Sequence, residues 1–207
     1  MILVHHLENS RSQRILWLLE ELELPYEVRR YARDPKTMLA PPALKAIHPL
    51  GKSPLIEHGQ TVIAETGAIV EYLIEQADGR LGAPAHRDSV LRYRHFLHYA
   101  EGSMMPPLFG LLVIDRLGLL GRPARGAVQS LVDGHLDWLE TELADRAWFA
   151  GDDFTAADVM MSFPLEAARH RARLNGERPH LIDWLERIHA RPAYARALER
   201  GGPYAFA

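Results

Sequence analysis

The chain changes texture near residue 80, and that change limits what it can fold into. Before it, short extended runs alternate with helical ones. Ile2 to His5 is a compact apolar run, and Ser12 to Leu24 carries Ile15, Leu16, Leu18, Leu19 and Leu22 at helical spacing. Pro25 stops that helix, and Tyr26 to Tyr31 alternates apolar and charged residues as a half-buried strand does. Two further strands are predicted at Leu55–Glu57 and Thr61–Ala64, separated by the turn signal His58-Gly59-Gln60, and a helix from Thr66 to about Ala77. Beyond Asp78-Gly79-Arg80-Leu81-Gly82-Ala83-Pro84 no strand pattern stands out. Helical periodicity runs from His86 to about Leu117, Ala124 to about Ala144, Ala156 to about Leu174 and Pro179 to about Ala190.

The order β-α-β then β-β-α is too short for a dinucleotide-binding domain and fits a four-stranded α/β domain of thioredoxin size. The chain therefore divides into residues 1–78, a linker at 79–85 and an all-helical domain at 86–207. No internal repeat or low-complexity tract occurs.

Charge and cysteine usage narrow the chemistry. Lys and Arg number 24 against 27 Asp and Glu, a net charge of −3, so the chain lacks the broadly basic surface that a nucleic-acid partner requires. With no cysteine it forms no disulfide, offers no thiolate to a metal and has no thiol nucleophile of its own. Any sulfur chemistry must come from a ligand. The N-terminus turns polar too soon for a signal peptide, and the most apolar stretch, Leu108 to Leu120, contains Asp115 and Arg116. These features predict a soluble cytoplasmic protein that does not engage a membrane.

Several familiar motifs fail on inspection. Gly51-Lys52-Ser53 matches the end of a phosphate-binding loop, but Ala46 stands where the first glycine belongs and Pro54 follows at once. His95 and His98 stand three apart on one helix without a third donor nearby, so no metal site is expected.

Three segments in the first domain survive. Asn9-Ser10-Arg11-Ser12-Gln13-Arg14 lies between the first strand and first helix, where backbone amides and the positive helix end face whatever sits above the strand. Ser53-Pro54 precedes a strand, a place for a tight turn with a cis or an ordinary trans bond. Glu65-Thr66 opens a helix, offering a carboxylate to an amine and a hydroxyl with free amides to an anion. Each also reads more simply: Ser10, Ser12 and Thr66 as helix caps, Pro54 as an ordinary strand start.

Taken together, the segments resemble the cytosolic glutathione S-transferases, in particular members with a serine after the first strand. The resemblance spans nearly the whole chain. It includes Leu18-Leu19-Glu20-Glu21-Leu22, His48-Pro49-Leu50-Gly51-Lys52-Ser53-Pro54, Glu65-Thr66-Gly67-Ala68-Ile69 and Phe154-Thr155-Ala156-Ala157-Asp158, the last being a capping box that speaks for fold rather than catalysis. It implies a thioredoxin-like domain, a helical domain and a homodimer. It further implies glutathione as co-substrate, with Ser10 donating to its sulfur, Ser53 binding its cysteinyl main chain beside a cis Pro54, Glu65 and Thr66 holding its γ-glutamyl end, and Lys52 its glycyl carboxylate. Ser53 departs from the branched apolar residue of many relatives, a small matter for a main-chain contact. Glu101 is expected to reach the partner subunit's glutathione, against the simpler reading of a solvated or paired surface carboxylate. Tyr99, Ser103, Met104, Pro106, Leu108 and Phe109 are expected to receive a hydrophobic electrophile, against core packing. The activity implied is conjugation, the alternatives being glutathione-dependent disulfide or peroxide reduction, with Asn9 or Ser12 sharing the sulfur contact, and a binding protein without turnover.

Overall fold

The computed structural model describes residues 1–206. Its first unit comprises residues 1–82 together with 189–205. Here β1 (Ile2–Leu7) lies between β2 (Tyr26–Tyr31), parallel to it, and β3 (Leu55–His58), antiparallel; β4 (Thr61–Ala64) closes the sheet order β2-β1-β3-β4. A central strand is covered on both faces, and five of the six residues of β1 are buried, including His5 and His6.

The helix α1 (Ser12–Glu21) packs against β1, α3 (Thr66–Gln76) and α9 (Pro192–Gly201). Covered from several sides, it buries every residue from Ser12 to Leu19, as expected of a helix whose apolar positions run all round. It stops in a Schellman turn. Glu23 takes φ 52°, and the Leu24 amide donates to the Leu19 carbonyl at 3.1 Å. A five-residue helix, α2 (Ala43–Ile47), precedes the Ser53-Pro54 turn.

The second unit, residues 83–188 with Phe206, is helical. It contains α4 (Arg87–Tyr99), a π turn (Ala100–Met104), α5 (Met105–Leu117), a 3-10 turn (Gly118–Gly121), α6 (Arg122–Ala144) and α7 (Ala156–Arg171). The last of its helices, α8 (Pro179–His189), ends at the boundary. The buried helix α7 organises the unit, with α4 and α5 packed on it. By length and composition a stretch within Arg87–Ala144 is apolar enough to cross a bilayer. About a third of that stretch is buried, Met105, Leu108, Leu111 and Ile114 among it, whereas Phe109, Val113, Leu117, Leu119 and Leu120 are exposed.

The start of α7 carries the predicted capping box. Ala157 N–H donates to Thr155 Oγ1 at 3.3 Å, and Thr155 N–H donates to Asp158 Oδ2 at 3.0 Å. Asp158 Oδ1 also accepts from the Phe149 amide at 3.0 Å and Trp184 Nε1 at 3.3 Å. Complete burial pushes its carboxyl up to about 6 despite these donors.

Three expectations need correction. The helical domain does not run to the C-terminus, because α9, absent from the sequence reading, belongs to the first unit, and the division falls at Gly82–Ala83. Trp17 meets Tyr194 edge-on with ring centroids 5.2 Å apart, Arg191 pairs with Glu21 through two nitrogens, and Arg196 pairs with Glu20 at 2.7 Å. The helix expected from His86 to about Leu117 runs without a break over Arg87–Leu117 but is not α throughout: a π turn precedes Pro106 and Pro107, which lack the amides to continue an α ladder. Of the expected capping hydroxyls, that of Ser10 accepts from the Ser12 amide at 3.2 Å, whereas Ser12 and Thr66 are themselves the first helical residues, behind Arg11 and Glu65, which make no side-chain cap bonds.

Replacing Asp158 with Ala strands four buried donors, the Phe149 and Thr155 amides, the Thr155 hydroxyl and Trp184 Nε1, so it is expected to destabilise the protein by about 3 kcal/mol or more, while Thr155→Ala costs about 1 kcal/mol. Urea unfolding measures both. A loss below that of Thr155→Ala would mean that the carboxylate is dispensable.

Candidate functional site

Strand directions bring the first-unit segments to one edge. Pairing of His5 with Leu55 and of Leu55 with Ala64 sets the C-terminal end of β1, the start of β3 and the end of β4 side by side. The Ser10 turn, the Ser53-Pro54 turn and the Glu65-Thr66 step all lie at these ends. Both α1 and α3 begin there, so two positive dipole ends serve the same edge, although the Ser12, Gln13 and Arg14 amides of α1 are already taken by Ser10 Oγ and by the Ser10 and Arg11 carbonyls.

The turn after β1 is fixed from two sides. Asn9 takes φ 49°; Arg33 donates from Nε to the Glu8 carbonyl at 3.0 Å and from NH2 to the Asn9 carbonyl at 3.2 Å. Asn9 Oδ1 accepts from the Ala205 amide at 2.7 Å. Ser10 is 6% exposed, and its Oγ accepts from the Ser12 amide at 3.2 Å and lies 2.8 Å from Ser12 Oγ.

Ser12 is fully buried and its hydroxyl is committed inward. Ser12 Oγ accepts from the Leu7 amide at 3.2 Å and lies 2.9 Å from His6 Nδ1, with the Leu7 carbonyl at 3.3 Å. Burial, helped by the Arg30 charge, lowers the His6 pKa to about 4, so the ring is neutral near pH 7. His5 Nδ1 lies 2.8 Å from the Tyr31 hydroxyl and its Nε2 2.7 Å from Glu57 Oε1, while its carbonyl accepts from Ser53 Oγ at 3.0 Å. That last bond ties the Ser53-Pro54 turn to β1.

The Ser53–Pro54 bond is cis, and sheet pairing begins at Leu55, leaving the Ser53 main chain outside the ladder. Lys52 is exposed. It follows Gly51 at φ 57°, where a Cβ would stand 2.6 Å from Lys45 Cγ, so only glycine lets the turn lie this close to α2. Glu65, exposed, takes φ 72° and ψ 125°, a conformation that costs an L-residue on the order of 1–3 kcal/mol. Thr66 beside it is 4% exposed. The edge thus offers a hydroxyl, a cation, a carboxylate and free amides. That set suits a small peptide carrying an ammonium and carboxylates.

The remaining predicted residues belong to the helical unit. Tyr99 is buried, its hydroxyl 2.5 Å from His135 Nδ1 and its ring stacked on His95; burial raises its pKa. Half-buried Glu101 and Ser103 lie in the π turn. Ser103 and Tyr99 help line a cavity of about 410 Å³ with Arg94, His95, His98 and Gly102. Met104 and Leu108 have no exposed surface and pack in the core, whereas Phe109 is 59% exposed. Among the described residues no group of three or more His, Asp or Glu is placed to hold a metal ion.

Sequence reasoning missed His5 and His6 as members of the site. Their signal was two adjacent histidines closing an otherwise apolar run, which marks buried polar groups that must find partners.

Comparison with known proteins bears on the whole chain. Residues 1–75 match the family profile "Glutathione S-transferase, N-terminal domain" and residues 114–187 match "Glutathione S-transferase, C-terminal domain". Glutathione S-transferase 3 of Schizosaccharomyces pombe is 35% identical over 97% of this chain and 88% of its own length. The crystal structure of a glutathione S-transferase from Actinobacillus pleuropneumoniae, 34% identical, superposes with a TM-score of 0.88 over 100% of this chain and 95% of that one. A sphingomonad glutathione S-transferase solved in complex with glutathione shares the fold at 22% identity, with a TM-score of 0.80 over 97% and 98% of the two chains. With both domain profiles matched and more than a third of its residues shared with a curated relative along almost its full length, the chain belongs to the glutathione S-transferase family.

Proposed function

We propose that the protein binds glutathione at the sheet edge and activates its thiol through Ser10 for attack on a hydrophobic electrophile. The observation carrying this reading is a nearly buried Ser10 hydroxyl at the start of α1, where it accepts from the Ser12 amide, on the edge shared by Ser53-Pro54 and Glu65-Thr66. Ser12 and Asn9 are weaker candidates for the sulfur contact. The Ser12 hydroxyl is fully buried among four groups and the Asn9 side-chain oxygen already accepts from Ala205.

The energetics suffice without a general base. A thiol of pKa about 8.5 is only about 3% ionised at pH 7, and lowering it by about two units requires about 2.7 kcal/mol. A hydrogen bond to a charged acceptor supplies about 1.5–3 kcal/mol and a helix N-terminus about 0.3–1 kcal/mol. Conjugation is favoured over disulfide exchange through the protein because the chain has no cysteine to carry a mixed disulfide.

In this reading Glu65 faces the ligand's ammonium, the α3 amides beside Thr66 face its α-carboxylate, Lys52 faces the glycyl carboxylate and the Ser53 main chain pairs with the cysteinyl residue. The electrophile is received by the helical unit through Tyr99, Ser103 and Phe109, the accessible or cavity-lining members of the expected set. The reading extends to a cytoplasmic homodimer with Glu101 directed to the partner's ligand.

Two variants test it. Ser10→Ala is expected to leave the glutathione Kd within about threefold while raising the titration midpoint of the bound thiol, followed by thiolate absorbance, by about 1–2 pH units. An unchanged midpoint would remove Ser10 from the sulfur. Glu65→Ala should raise KM for glutathione at least about tenfold with kcat within about twofold, since its contact is the same in the ground and transition states. A fall in kcat at unchanged KM would assign Glu65 to thiol ionisation instead.

A further inference from the structure

An exposed leucine on its own needs no explanation, but a cluster of them at one turn does. Every residue from Asp115 to Leu120 is exposed where α5 passes through the 3-10 turn into α6. Leu119 and Leu120 leave 73% and 85% of their surface in solvent, and Leu117 joins them from the end of α5. Val113, one helical turn before Leu117 and so on the same face, is exposed as well. The turn is tightly built. Gly118 takes φ 56°, and a Cβ at Gly121 would collide with the Ile114 carbonyl, so only glycine lets the chain fold back this closely on α5.

Charge gathers at the same turn. Between Gly102 and Val132 the chain carries three arginines, Arg116, Arg122 and Arg125, against one acid, Asp115, although its overall net charge is −3. Arg125 pairs with Asp115. Arg116 and Arg122 are therefore the uncompensated charges, exposed on either side of the leucines in sequence and without an ion pair among the described residues. The helix α6 begins at Arg122, and its positive end adds to theirs. Here a cavity of about 330 Å³ is lined by Ile114, Asp115, Gly118, Leu119, Arg122 and Arg125, which gives a phosphate group room beside guanidinium donors.

Leucines flanked by unpaired arginines suit the boundary between acyl chains and anionic headgroups, where apolar side chains enter the chains and guanidinium groups stay at the level of the phosphates. A second protein fits this turn less well. A stable interface takes about 800 Å² from each partner over roughly 20–30 residues, and the turn offers six consecutive exposed residues and a short stripe on α5.

We propose that the turn between α5 and α6 docks the protein on an anionic lipid surface, with Leu117, Leu119 and Leu120 entering the acyl boundary and Arg116 and Arg122 holding lipid phosphates. The contact lies on the bilayer and does not span it. The expectation of no membrane contact rests on Asp115 and Arg116 interrupting the apolar stretch. In the fold Arg125 neutralises Asp115, and Arg116 becomes one of the two charges that meet the headgroups.

Flotation of the full chain with lipid vesicles tests this. Binding to phosphatidylcholine vesicles that contain phosphatidylglycerol is expected to be at least about tenfold tighter than to phosphatidylcholine alone, and to weaken about tenfold or more between about 0.1 and 0.5 M salt. Leu119→Gln with Leu120→Gln, and separately Arg116→Gln with Arg122→Gln, should each weaken binding to the anionic vesicles by about tenfold or more. Circular dichroism and the urea midpoint check that each pair folds, and either pair remains a test should the other fail. Binding to anionic vesicles that is absent, no tighter than to neutral ones, or unchanged by either folded pair overturns the proposal. In particular, loss with the arginines replaced and none with the leucines replaced would make the cavity a site for soluble anions. A lower mass in lipid-free sedimentation of the leucine pair would assign the turn to a contact between copies, and overturns it too.

Discussion

Burying β1 on both faces sets the terms for the rest of the first unit. The strand carries two adjacent histidines that point to opposite sides of the sheet, and a buried polar ring costs on the order of 1–3 kcal/mol if its nitrogens stay unpaired. Each is therefore met by a dedicated set of partners. His5 is spanned by Tyr31 and Glu57 across the sheet, and its carbonyl holds the Ser53 hydroxyl. His6 is met by Ser12 of α1 at 2.9 Å. Two turns of the site, one after β1 and one before β3, are thus braced by the residues that solve the strand's own burial problem.

The same requirement accounts for α9. Its ion pairs with α1 are partly exposed, and exposed pairs contribute little, typically about 0–1 kcal/mol each. Packing does more: Ala193, Tyr194, Ala197 and Gly201 are buried. Two of its last carbonyls are capped by Arg30, and Gly202 at φ 86° with Pro203 behind it turns the chain away. From there the tail runs to Ala205, whose amide holds Asn9. A segment far from the site in sequence thereby reaches the residue before Ser10.

What the sequence made legible follows from which signals are local. Tyr26–Tyr31 and Thr61–Ala64 were readable to the residue because strand alternation and flanking turn chemistry agree there. The helix α9 was not, since Pro-Ala-Tyr-Ala-Arg-Ala-Leu-Glu-Arg-Gly buries small residues and lacks a stripe of large apolar ones. The π turn was hidden because apolar spacing continues through it while only the backbone ladder changes. At the site, Ser10, Ser53-Pro54 and Glu65-Thr66 stood out as turn and helix-start residues. The capping roles also open to Ser12 and Thr66 were not realised, and Met104, readable as substrate-lining or core, is core. Such distinctions depend on partners distant in sequence, as Ser12 with His6 illustrates.

Without cysteine the chain has no thiol of its own to exchange with a ligand's sulfur, and what its candidate edge offers is set by hydroxyls, charges and helix ends. The start of α3 has no side-chain cap and forgoes roughly 0.5–2 kcal/mol of capping, whereas at α1 the Ser12 amide is taken by Ser10 Oγ. Glu65 adds a strained backbone. The helical unit shows the contrast: α7, which carries no candidate site residue, has a complete capping box sealed by Asp158. Capping is thus complete where the helix start is buried, at α7, and lacking at α3, where Glu65 is exposed.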